Sequence, residues 1–217
     1  MAEASGGVPA NAASQSSLND QLLVAAGMGD LAALREALAA GADVEARRID
    51  PAGVSRTPLA RVLHPMKTIP DERRTACVRA LLLAGASPSA PITHGGNPYT
   101  ALHDAAYLGL YTVCRLLLDA GADVNALHGD MSPLHYAAIR QKLIALLLSR
   151  GAVDSPNVDR SGSSSYLRKV RAAGGFANYA KQHRTKLVAM LAPKFAHLLP
   201  PELVSVVITF WAPVGLH

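Results

Sequence analysis

The side chains able to do chemistry in this 217-residue chain are few and scattered. Eight histidines and two cysteines are the available metal ligands and nucleophile–base candidates. A metal centre needs several ligands at short spacing, and the histidines place none beside Cys77 or Cys114. His103 and Asp104 are neighbours on a helical pattern, so their side chains point in different directions. Gly95-Gly96 and Gly174-Gly175 are isolated pairs without the spacing of a phosphate-cradling loop. The sequence therefore predicts no catalytic residue, no metal and no cofactor, and a chain that is not an enzyme.

The pattern around these residues is one of short helices. Thr100-Ala101-Leu102-His103 opens a helix, Ala105-Ala106 gives it a small-residue face, and Gly109 ends it. Val113 to Leu118 forms a second apolar helix, and Gly121-Ala122-Asp123-Val124-Asn125-Ala126 closes the unit. The same order recurs. Closing glycines stand at Gly41, Gly85, Gly121 and Gly151. Second-helix cores precede them at Leu34 to Leu38, Val78 to Leu83, Val113 to Leu118 and Leu143 to Leu148. The openings are Asp20 to Leu23, Thr57 to Ala60, Thr100 to His103 and Ser132 to His135. From opening to closing glycine the distance is 21 residues in the first and third copies, 28 in the second and 19 in the fourth. The long copy carries an insertion, His64 to Glu72, with two prolines.

Each feature has a physical reason. A hydroxyl at the opening caps a helix, and proline just after it costs no hydrogen bond. Glycine past a helix end takes the left-handed conformation without a Cβ penalty. A single helix pair cannot bury its own apolar face, so such units must stack.

This repeating grammar strongly resembles the ankyrin repeat. The resemblance implies an all-α ankyrin-repeat solenoid with a C-terminal helical extension, and in that family His103 and His135 would brace the neighbouring hairpin. Residues 1–17 read as a disordered lead. Four repeats occupy about 18–47, 52–90, 95–126 and 127–156. Residues 159–217 form a worn fifth repeat or cap and the extension. There Ser161 to Ser165 is the opening, Tyr166 to Ala173 a first helix and Phe176 to Leu191 a second.

Composition narrows the function classes. Half of the residues are apolar and few are aromatic, which suits an alanine- and leucine-rich helical stack. Two cysteines, both in second-helix cores, suggest buried free thiols and a reducing, intracellular compartment, cytoplasmic or nuclear. No run reaches the ~18 apolar residues of a membrane span, and no secretory signal stands at the start, so the expectation is a soluble chain. Net charge is +5, and it is concentrated late. Residues 159–217 carry eight basic side chains against Asp159 and Glu202. Arg168, Lys169, Arg171, Lys181, Arg184 and Lys186 could meet nucleic acid or an anionic membrane. A solvated helical face is the plainer reading, because no nucleic-acid motif accompanies the charge.

Near the end, Leu199-Pro200-Pro201-Glu202-Leu203 leading to Val207 and Trp211 is similar to the first helix of an F-box, as in the truncated PRANC-like tails of some ankyrin proteins. That likeness implies docking to a cullin-linked adaptor of a ubiquitin ligase through Leu199, Pro200, Glu202, Leu203, Val207 and Trp211. The competing reading makes the same helix a cap under the last repeat.

The ankyrin resemblance also implies a protein partner of unknown identity on the concave face, formed by hairpin tips and the ends of first helices. Carried onto this chain, the anchors are Arg56, Tyr99, Tyr107, Met131 and Arg140, with Leu108 and Ile139 beside them. The resemblance further marks Asn125, with Leu117 eight residues earlier, as a site for an asparaginyl hydroxylase. The simpler alternative is an asparagine that only hydrogen-bonds within its hairpin.

Overall fold

A computed structural model describes residues 10–50, 53–63, 68–93, 96–137, 140–154 and 164–195, together with Pro200, Leu203 and Val206. The chain divides into two compact units, Met1–Asp130 and Met131–His217.

In the first unit, α1 (Ala10–Met28) and α2 (Leu31–Ala39) make the first helix pair. The helices α3 (Pro58–Val62) and α4 (Asp71–Leu83) make the second, and α5 (Ala101–Leu108) and α6 (Tyr111–Asp119) the third. They are consecutive layers: α1 packs on α3, α2 on α4 and α4 on α6. Leu22, Leu34, Leu59, Leu81, Leu102 and Leu117 are fully buried between them, as stacking of half-apolar units requires. Cys77 and Cys114 are buried thiols within the same core. Burial raises the Cys77 thiol above its ordinary range, with the Asp30 charge adding to it.

Every second helix ends in the same way. The amide of Gly41 donates to the Leu38 carbonyl and that of Ala42 to Ala37. Gly85 and Ala86, Gly121 and Ala122, and Gly151 and Ala152 repeat the arrangement. The four glycines have φ between 89° and 93°. This is the Schellman closure, which satisfies the last carbonyls and needs a residue that tolerates positive φ.

The first helices of the second, third and fourth copies start as their residues predict. The Thr57 hydroxyl accepts from the Ala60 amide at 3.4 Å. At Thr100 and Ser132 the histidine three residues on completes a capping box. His103 Nδ1 accepts the Thr100 amide at 3.2 Å, and His135 Nδ1 the Ser132 amide at 2.9 Å. An accepting Nδ1 places the ring proton on Nε2. Both histidines thus brace the start of their own helix.

Two expectations are corrected. The lead is not disordered up to residue 17, because α1 is helical from Ala10. Its extra turns are held by side-chain bonds: Gln15 Nε2 donates to the Gly41 carbonyl at 2.9 Å, and Asn19 Oδ1 accepts the Asp43 amide at 2.8 Å. Residues 1–9 lie outside the described residues. The opening at Asp20 is corrected too, since it falls inside α1; in the insertion His64 to Glu72, Asp71 and Glu72 form the acidic first turn of α4, where negative charge suits the helix dipole. Ile69 in this segment is buried against Gly29. Residues 64–67 lie outside the described residues.

Strand is minimal. β1 (Arg48–Ile49) and β2 (Ser55–Arg56) form an antiparallel hairpin, pairing Arg48 with Arg56 and Ile49 with Ser55. Isolated bridges add Ser55 to Thr93 and Ile92 to Tyr99.

The second unit contains α7 (Pro133–Tyr136), α8 (Gln141–Ser149), α9 (Ser165–Ala172) and α10 (Phe176–Phe195). The first helix of the fourth copy is only four residues long, in line with the short spacing there. The Ser164 hydroxyl caps α9 by accepting from the Leu167 amide. Gly174 and Gly175, both at positive φ, turn the chain into α10, where the worn fifth repeat was expected. The Tyr166 and Tyr179 rings meet edge to face at 5.3 Å. Arg171 clamps Asp154 with two bonds, at 2.6 and 2.9 Å. Among the described residues, no helix is long and apolar enough to cross a membrane.

Candidate functional site

The hairpin tips of the first unit are tied to one another. The Ser87 amide donates to Glu45 Oε1 at 2.6 Å, and one repeat later the Asp123 amide donates to Ser89 Oγ at 3.1 Å. Glu45 and Ser89 hold equivalent places, each four residues after a closing glycine. Arg47 Nη1 adds a bond to the Pro91 carbonyl at 2.8 Å. The tips form a continuous polar edge.

Beneath this edge lies a polar cluster. Asp50 caps its own turn by accepting the Val54 amide at 2.9 Å, and its other oxygen takes the Arg56 guanidinium. Val54, Ala60 and Ile92 form a small apolar nucleus against which Tyr99 packs. The Tyr99 ring meets His128 at 5.4 Å, and His128 in turn meets His103 edge to face at 6.3 Å. Burial raises the Tyr99 hydroxyl, and the Asp104 charge adds to this, while Arg56 acts against it. Burial lifts the Asp104 carboxyl to about 7, with the Arg56 charge as the opposing influence.

The predicted anchors separate on this surface. Arg56 is 9% exposed, so it is not an anchor on offer to a partner. Alternation along β2 sends it inward, where it holds the hairpin through Asp50. Tyr99 is half-buried beside it. Tyr107, at the end of α5, is 59% exposed. Leu108 is half-buried. In the second unit Met131 is exposed and Arg140 half-buried at the start of α8. Ile139 lies outside the described residues.

Sequence reasoning passed over His128, Ile49 and Arg61, and weighed Asp104 only as a neighbour of His103. Asp104 carried a signal, as the acid in an otherwise small and apolar first helix. Arg61 carried none, because its importance comes from which arginines the fold gathers around it.

Asn125 is half-buried in its tip, and its amide donates to Asp123 Oδ1 at 2.9 Å. Of the tail residues, Pro200 and Leu203 are described and both are exposed. Leu199, Glu202, Val207 and Trp211 lie outside the described residues. Arg168, Lys169, Lys181, Arg184 and Lys186 are exposed along α9 and α10, while Arg171 is paired to Asp154. Among the described residues there is no group of three or more His, Cys, Asp or Glu that could hold a metal.

Residues 66–160 match the family model described as ankyrin repeats (3 copies).

Proposed function

Since the chain carries ankyrin repeats over residues 66–160, a fold that serves in general as a protein-interaction module, we propose that it binds a protein partner without catalysis. The binding face is the side of the hairpin tips and first-helix ends. The observation that carries this reading is the pairing of a rigid edge with an exposed aromatic. Glu45 and Ser89 bond successive tips together, and Tyr107, near the end of first helix α5, is 59% exposed. A preorganised surface loses little entropy on association, and tyrosine is a frequent hot-spot residue. Affinity capture with the full chain and with Tyr107→Ala tests this. Partners lost by that variant support the reading, and partners indifferent to every change on this side would refute it.

A second reading adds recruitment to a cullin-linked adaptor through the tail. Leu203 and Val206, three residues apart, are 48% and 54% exposed. Aliphatic side chains at that spacing can share one helical face. Asn125 hydroxylation remains part of the proposal, and peptide mass spectrometry after co-expression with the hydroxylase tests it. The buried cysteines suit a reducing, intracellular setting.

A further inference from the structure

Between α1 and the first hairpin is a pocket of about 430 Å³ lined by Leu23, Val24, Arg48, Ile49, Asp50 and Arg61. One side is apolar: Ile49 is 69% exposed and Val24 is exposed too. The other side carries the Arg48 and Arg61 guanidinium groups and the Asp50 carboxylate, with Arg56 near enough for its charge to act on Arg61. Arg48 has Asp20 at 3.3 Å and Arg56 has Asp50, so two of the three arginines already have a carboxylate. Arg61 is the third. Its Nε is buried with no hydrogen-bond partner among the described residues.

We propose that this pocket receives an acidic side chain of a partner protein, an aspartate or glutamate flanked by an aliphatic residue. The carboxylate sits on Arg61, and the aliphatic neighbour covers Ile49 and Val24. A carboxylate is the acceptor to which the accessible N–H groups of a half-buried guanidinium donate most strongly, since charged hydrogen bonds are the strong ones. The surrounding charge agrees. Burial, and then the Arg48 and Arg56 charges, hold the Arg61 guanidinium below its ordinary range, and Asp50 and Asp20 offset this only as lesser influences. An incoming anion relieves that crowding. The aliphatic requirement follows from Ile49, a large apolar side chain left bare next to the cations.

This inference rests on the partner-binding reading above and narrows it to one pocket and one chemistry. The test is selection of phage-displayed random twelve-residue peptides on the immobilised full chain, followed by fluorescence anisotropy with the enriched peptides. The expected result is enrichment of Asp or Glu next to Leu, Ile or Val. Affinity should fall about tenfold in Arg61→Gln, fall in Ile49→Ser, and stay unchanged in Arg184→Gln on α10. Ile49 is exposed, so its variant reports on the pocket even if Arg61→Gln perturbs folding. Selection without binders, enrichment of peptides lacking carboxylates, or equal binding to wild type and both pocket variants would each overturn the pocket assignment. Binders that ignore Arg61 and Ile49 but are lost in Tyr107→Ala would leave the broader reading standing.

Discussion

The hydroxyl of Ser89 lies 3.1 Å from the amide of Asp123, across 34 residues of chain. The amides of Ser87 and Asp123, at the same place in successive tips, are each satisfied by a side chain from the layer before. Ser89→Ala removes the acceptor and leaves the amide exposed to water. The expected cost is about 1 kcal/mol in urea unfolding, and Glu45→Ala should behave alike at Ser87. A double variant with additive losses would mark the two bonds as independent rungs.

The pH dependence of stability should centre on Asp104. Its carboxyl is lifted from 3.8 to about 7, first by burial, with Arg56 opposing. The folded chain therefore holds a proton that the unfolded chain releases near pH 4. Stability falls as pH rises from about 4 to 7 and levels off above, by on the order of 2 kcal/mol given partial exposure. Asp104→Asn should flatten that slope and stabilise the chain at pH 8. Urea titrations across this range check both.

Gly29→Ala should be costly for two reasons acting together. The residue sits at φ +67°, and an added Cβ would meet Ile69 Cγ2 at 2.6 Å. The left-handed conformation alone costs about 1–2 kcal/mol in a non-glycine residue. Pairing the change with Ile69→Ala should recover the steric part and leave the conformational part, as thermal unfolding would show.

Leu117 is fully buried in α6. Its replacement by alanine should cost roughly 2–5 kcal/mol. A smaller loss would mean that the layers close over the cavity more readily than stacked helices usually do.

The tail and the basic helices make separable predictions. If the tail recruits a cullin-linked adaptor, truncation of residues 195–217 should abolish that capture and spare partners of the hairpin face. An oligonucleotide binding curve should show salt-sensitive association only if the cations of α9 and α10 meet nucleic acid. Silence at low salt would remove that reading.

The repeats were legible because their signals are local. Gly109 ends α5 at φ 77°, and each closing glycine stands two residues past the end of a second helix. The first turns of α1 were not legible. Residues 10–19 have neither a cap signal nor apolar periodicity, and bonds to Gly41 and Asp43, far along the chain, hold that helix. Arg56 misled for a related reason. Arginine in a loop reads as surface, and only the pairing of β1 with β2 reveals Asp50 waiting inside.

Gln15 and Asn19 have one more effect. By occupying the Gly41 carbonyl and the Asp43 amide, they satisfy the first tip from within its own copy, so those two groups draw on no side chain from another layer.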